Sequence, residues 1–368
     1  MSRYDVIVFG GGIIGAALAE ELARRGQRVA VLERGRIGQE ASTAAAGILS
    51  AQMDLPRPGP FFELCQAARQ MYPRWVEHLE RRSGTPVGYH VDGILYLAMT
   101  GHEEHAMERR ARWQKKAGLR VERWSPKEVK RQEPAVDGTL KRGFHFPTEA
   151  QVDNVALMRA LAIAARKAGV ELREEQAVRR PLIRGGRVHG VETDRGALES
   201  PVVVNCLGSW AAMGGAFPVP LAIEPSRGQM LAFRGPRRLV RRAVMSERAY
   251  VVQRRDGRLL VGSTVERVGF EKALTLEGIH GILGGLRQFT SALDQCAFLE
   301  AWAGLRPYTT DRLPIVGATS IEGLYVATGH FRHGILLAPI TAHLMAELIL
   351  RGRTAFDLAP FTPRRFDS

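Results

Sequence analysis

Apolar residues fall into three kinds of run along this chain, and each kind predicts a different element. Val6-Ile7-Val8-Phe9 and Val29-Ala30-Val31-Leu32 are short and apolar without alternation, the pattern of strands covered on both faces in a parallel sheet. Residues 16–25 between them carry apolar side chains at helical spacing, and Gly26 ends the run. Residues 154–168 repeat that spacing as an amphipathic helix stopped by Gly169. A third helix, "GILLAPITAHLMAELIL" from Gly334, is apolar nearly throughout and follows a strand-like run at 323–327. It holds Pro339, His343 and Glu347, which a lipid-facing span would not accommodate, so we expect a buried core helix and no membrane insertion. Residues 93–99 and 250–253 read as strands, and "RLLVGSTVE" returns over the Asp256-Gly257 turn as a hairpin partner.

The first of these runs encloses a glycine turn. Gly10, Gly12 and Gly15 form G-x-G-x-x-G between strand and helix. The first allows the tight turn, the second lets the backbone approach a pyrophosphate, and the third lets helix and strand pack. The helix start offers unpaired N–H groups to phosphate. Glu33 closes the second strand, where a carboxylate can accept both ribose hydroxyls of an adenosine and would repel a 2′-phosphate, which argues against NADP. Strand, glycines, helix, strand and acid in this order predict a bound dinucleotide. The small residues from Ala41 to Gly47 then suggest a loop whose backbone approaches a flat ring, with Ile48 and Leu49 resuming an ordered course.

From "STAAAG" onward the chain resembles the FAD-dependent amine and amino-acid oxidases, the family of D-amino-acid oxidase, sarcosine oxidase and glycine oxidase. "SPVVVNCLGSW" resembles the family's apolar strand ending in Gly-x-Trp, here Gly208 and Trp210, and "AWAGLRP" and "ATGHFRHGILLAP" follow in family order. The last block looks most like glycine oxidase of the thiazole (thiamine) pathway. The resemblance implies an α/β fold: a Rossmann-like FAD-binding domain (1–85, 145–215 and 301–368) interleaved with a substrate domain (86–144 and 216–300) on a mostly antiparallel sheet. It implies FAD contacts from Gly10, Gly12, Ile13, Ile14, Gly15, Glu33 and Arg34, and from Ala41, Ser42, Ala46, Gly47 and Ile48. Val178 would meet the adenine, and His330, Phe331, Arg332, His333, Gly334, Ile335 and Leu336 would wrap the ring. At position 333 the family usually has Asn. No cysteine lies between Arg306 and Gly334, so the FAD is expected to be non-covalent.

The implied reaction is oxidative deamination of glycine and small amino acids, D-amino acids and sarcosine included. A hydride passes from Cα to flavin, and O2 is reduced to H2O2. A substrate carboxylate needs a planar two-donor partner, which arginine supplies. The resemblance gives that role to Arg306, with Tyr250 adding a hydroxyl and Arg332 projecting to the substrate side. Arg306 could instead form an ion pair with Asp311 or Glu300, and Tyr250 could be a core aromatic. Val265 stands where relatives carry Met and would widen the pocket, Ser50 would narrow it, and Arg248 would add charge at the mouth.

Charge and cysteines alter little. The 52 basic residues against 38 acidic give +14, which would suit nucleic acid or an anionic surface. Only seven are lysines, and the densest stretch, "RGPRRLVRRA", has no aromatic residue and no nucleic-acid motif around it. We therefore expect surface arginine and no nucleic-acid partner. Cys65, Cys206 and Cys296 have no paired spacing, which fits a reducing cytoplasm, and no metal-ligand motif is present. A dehydrogenase using another electron acceptor, and a flavin domain acting in tRNA modification, stay open as alternatives. A homo-oligomer is open too.

Overall fold

The computed structural model describes residues 4–212 and 217–366. Six strands form one sheet in the order Ile315–Ala318, Leu324–Thr328, Val203–Asn205, Val6–Phe9, Val29–Leu32, Glu171–Arg173. All neighbours are parallel except the first pair. Val6, Val8, Val29 and Val31 face a core made with the helices Ile13–Arg24, Pro60–Ser83, Asn154–Lys167 and Gly334–Arg351. Ile7, Phe9, Ala30 and Leu32 face the other way, onto Val188 and Val191. Those two belong to a three-stranded antiparallel sheet, Val178–Arg184, Arg187–Thr193 and Gly196–Glu199. Both faces are covered, which is why these strands read as unbroken apolar runs.

Eight strands form the second large sheet, in the order Ala297–Thr309, Ile223–Arg234, Arg258–Gly262, Tyr250–Gln253, Ala243–Met245, Ile94–Ala98, Arg142–Phe146, Glu122–Trp124. Only the pairing of Ala243–Met245 with Ile94–Ala98 is parallel. Two of its strands run across boundaries expected from the sequence. Arg142–Phe146 passes 145, and Ala297–Thr309 pairs with Ile223–Arg234 from Ile223↔Thr309 to Arg234↔Ala297, well past 301.

The helix Gly334–Arg351 is long and apolar enough to cross a membrane by length and composition. Its residues from Ile335 to Ala342 are buried, joining the core beneath the six-stranded sheet. Pro339 removes the amide that would bond the Ile335 carbonyl. Tyr72 supplies the missing donor, its hydroxyl reaching that carbonyl at 3.3 Å.

Candidate active site

A single cavity joins the two sheets. It is lined at one end by Gly10, Gly12, Ile13, Ile14, Glu33, Arg34, Ala41 and Ser42. The middle is Ala46, Gly47, Ile48 and Ser50, and the far end is Tyr250, Arg306, His330, Phe331, Arg332, His333, Gly334, Ile335 and Leu336. Gly15 and Val178 do not line it. Gly15 works from behind: a Cβ there would stand 2.0 Å from the Gly10 carbonyl oxygen, so only glycine lets the helix approach the turn. Gly10 has φ of +102°, and a Cβ on it would meet the Cys206 carbonyl oxygen at 2.4 Å. Val178 opens a strand of the three-stranded sheet and packs against the core on the opposite face.

The helix Ile13–Arg24 begins with no cap from its own sequence. Ser42 provides one, its hydroxyl accepting from the Ile13 amide at 2.9 Å. The Glu33 carboxylate accepts from the amides of Gly11 at 2.8 Å and Gly35 at 2.9 Å, one oxygen each. It is thereby held at the rim of the cavity with further lone pairs to offer. Arg34 stacks 4.0 Å above the Trp210 ring beside it.

The segment expected as a loop is partly helical: Ala41–Ala44 makes one turn before the strand Ile48–Leu49. A lone turn leaves its carbonyls unpaired. Asn154 satisfies two of them, donating to Ser42 O at 2.9 Å and Thr43 O at 2.8 Å. Trp302 donates to Ala44 O at 3.0 Å and Arg254 to Ala46 O at 2.7 Å. Arg254 is 7% exposed and bonds only neutral oxygens here, including Asn154 Oδ1 at 3.1 Å. Burial draws its pKa down to about 10. Asn154, Arg254 and Trp302 hold the small-residue segment against the cavity. Asn154 reads in the sequence as an ordinary first residue of a helix and Arg254 as one more surface arginine, so local pattern gives no sign of either role.

At the far end Arg306 lies in the strand Ala297–Thr309, two register positions from the Gly228↔Gly304 pair. Gly228 makes room for its guanidinium, since a Cβ there would be 2.2 Å from Nη1. The guanidinium donates to Ser263 Oγ at 2.8 Å and Thr264 O at 3.1 Å. Among the described residues no carboxylate pairs with it, neither of the two considered from sequence, Asp311 and Glu300, and Asp311 bonds Arg365 instead at 2.7 Å. Burial, more than any neighbour, pulls the Arg306 pKa below its ordinary value. Tyr250 points its hydroxyl at Met230 Sδ, 3.0 Å away, and burial raises its pKa despite Arg306 and Arg332 nearby. Arg332 is exposed and stacks 5.3 Å over Phe331.

Gly334 starts the C-terminal helix, with His333 as its N-cap residue and no side-chain cap bond. His333 is buried, its ring edge-on to Phe61 at 5.1 Å, and its Nε2 has no partner. His330 Nε2 meets Thr341 Oγ1 at 3.0 Å, and burial pushes the His330 pKa down to about 3. Burial lowers His333 as well. Both imidazoles are therefore neutral at pH 7, and on this segment the positive groups facing the cavity are the helix start and Arg332.

Val265 does not widen the cavity. Glu266 exchanges backbone hydrogen bonds with Arg227 and turns its side chain inward to it, so the alternation leaves Val265 51% exposed. The thioethers in the lining are Met230 and Met245, while Ser50, Asp54 and Arg248 do line it.

These features fit a dinucleotide lying along the cavity with a ring at the start of the C-terminal helix. Residues 5–348 match the model of the FAD dependent oxidoreductase family (DAO). Glycine oxidase of Geobacillus kaustophilus is 35% identical over 367 residues, 99% of this chain and 97% of the relative. Its crystal structure superposes with a TM-score of 0.96, covering 99% of each chain. The bifunctional protein ThiO/ThiG of Synechocystis sp. is 36% identical over 98% of this chain, which spans only 54% of that relative. The crystal structure of L-proline dehydrogenase from P. horikoshii is 25% identical, with a TM-score of 0.90 over 100% of this chain and 98% of that one. With the family model spanning nearly the whole chain and the glycine cradle shaped for a dinucleotide, the chain belongs to the family of FAD-dependent oxidoreductases.

Proposed function

We propose that this protein is a flavin-dependent oxidase of glycine and other small amino acids, sarcosine and D-amino acids among them, with O2 as acceptor. The observation that carries the reading is the Arg306 guanidinium, half-buried at the ring end of the cavity with two neutral oxygen partners and, among the described residues, no carboxylate paired with it. A desolvated cation of that geometry calls for a carboxylate from outside. Arg306 then holds the substrate carboxylate, the Tyr250 hydroxyl adds a second contact, and Arg332 contributes positive charge from the rim. Bound FAD supplies the acceptor for the electron pair leaving Cα. Burial makes His330 and His333 poor bases, so neither readily takes a proton from the substrate ammonium and substrate enters as the free amine. The balance is primary amino acid, O2 and water giving oxo acid, ammonia and H2O2, with methylamine in place of ammonia from sarcosine.

Similarity to glycine oxidase over the full chain supports the substrate class. A part in thiazole and thiamine biosynthesis belongs to the same proposal, supported by the relative named ThiO/ThiG. So do FAD held without a covalent bond, a cytoplasmic setting and a substrate-binding part carried by the eight-stranded sheet, with the strand Ala297–Thr309 assigned to that sheet. The dehydrogenase reading keeps one supporting observation, the likeness to L-proline dehydrogenase. H2O2 release with glycine, sarcosine, D-alanine, D-proline and L-alanine tests the proposal. Turnover of L-alanine alone, or of none while dithionite still bleaches the flavin, overturns it, and dye reduction without H2O2 favours the dehydrogenase.

A further inference from the structure

Behind the cavity wall lies a carboxyl group that the proposed reaction does not use. Ser50 and Asp54 line the cavity, and the chain between them is irregular yet buried, with Ala51, Gln52 and Met53 at most 2% exposed. Buried backbone without a ladder must find partners among side chains. Ala51 donates to Glu149 Oε2 at 2.8 Å and its carbonyl accepts from Gln66 at 2.6 Å. The Gln52 carbonyl accepts from Gln114 at 2.8 Å, and the Gln52 amide reaches Gln114 Oε1 and Arg120 O, both at 3.1 Å. The Met53 carbonyl accepts from Arg110, and the Pro56 carbonyl from Trp113 at 2.9 Å. Of the clamps on Ala51 and Gln52, Glu149 alone is an acid.

We propose that Glu149 is a positioning residue for the substrate site: by clamping the Ala51 amide from behind, it holds in place the Ser50–Asp54 wall of the cavity in which the substrate binds. Glu149 is 0% exposed, and its second oxygen has no hydrogen-bond partner. As an ionised acid that oxygen would be a buried, uncompensated charge; as a hydroxyl it is not. Burial moves the Glu149 pKa up to about 8. The charged or titratable groups facing it are Arg69 and Cys65 on the helix Pro60–Ser83 and Asp54 on the wall itself. None forms an ion pair with it among the described residues, and Arg69 is bonded to Thr148. The neutral acid is the form that fits the closed wall, whereas opening lets water hydrate the ionised carboxylate, so the wall loosens as pH rises towards that value.

Two readouts test this in the FAD-loaded protein. One is hydrogen exchange of a peptide spanning residues 50–56, corrected for the intrinsic pH dependence of exchange. The other is the Kd of acetate, a carboxylate without an amine, read from the visible flavin spectrum between pH 6.5 and 9.5. In wild type we expect protection of 50–56 to fall and the acetate Kd to rise as pH climbs towards about 8, by up to about tenfold per pH unit, and both to level off above it. Glu149→Gln, which keeps the shape and cannot ionise, should flatten the difference in both readouts. Glu149→Ala should lose protection at every pH with FAD retained. Equal pH profiles in wild type and Glu149→Gln, or an unchanged 50–56 exchange rate in Glu149→Ala, overturn the assignment. The acetate arm rests on the proposed carboxylate site, whereas the exchange arm does not. Loss of exchange protection with no acetate binding at any pH would thus count against the proposed function and leave the wall clamp standing.

Discussion

Replacing Arg306 with alanine removes the guanidinium that the Gly228 gap accommodates and leaves Ser263 Oγ and Thr264 O facing an open cavity. Those acceptors are neutral and water can reach them from the cavity, so the cost to folding should be small. The cost to substrate is larger. Truncating one partner of a buried, hydrogen-bonded charge pair costs about 2–5 kcal/mol, and Arg306 is only partly buried, so the lower half of that range applies. At about 1.4 kcal/mol per factor of ten, a loss of about 3 kcal/mol raises KM roughly 100-fold. Lysine at this position keeps the charge and loses the two-donor plane, so its KM should fall between wild type and alanine. The assay is initial-rate H2O2 release against glycine concentration, paired with flavin content from the visible absorbance of the purified protein. A KM within twofold of wild type at normal flavin content, or a loss of flavin with normal KM in the fraction that keeps it, would refute the placement of the carboxylate.

Other outcomes follow from the same geometry. Gly15→Ala should give folded, colourless protein or none, checked by flavin absorbance beside circular dichroism, because its methyl group meets the Gly10 carbonyl. Asn154→Ala frees the Ser42 and Thr43 carbonyls and should speed FAD loss on dialysis with little change in KM. Tyr72→Phe leaves the Ile335 carbonyl unpaired and should lower unfolding free energy by about 1–2 kcal/mol in urea. Glu149 also links stability to pH: its folded pKa lies above the ordinary 4.5, so below pH 4.5 both states hold the proton and its contribution is complete. Between about 4.5 and 8 the unfolded chain releases that proton first, so wild type should lose stability relative to Glu149→Gln as pH rises, by a few kcal/mol in all. Equal differences at pH 5 and pH 8 would sink that account.

Linear order carries the glycine turn, the doubly covered strands and the apolar C-terminal helix, because each depends on neighbours within a few residues. Val6 to Phe9 could be read as buried on both sides from composition alone, and Gly10 and Gly15 from spacing alone. The resemblance added the order of later blocks, and with it Arg306 and Tyr250 in one cavity. What it could not supply was support from a distance. Ser42 caps a helix 29 residues earlier, Asn154 pins a turn 112 residues before it, and Glu149 clamps Ala51 across 98 residues. None of these pairs shares a period or a motif, since each satisfies a backbone group left unpaired only after the sheets have met. Val265 failed for the same reason: a change of hydrogen-bond register beside Arg227 decided which side chain faced inward. Short-range pattern determines which elements form, whereas burial of orphaned polar groups, a property of the assembled chain, decides which residues hold the site.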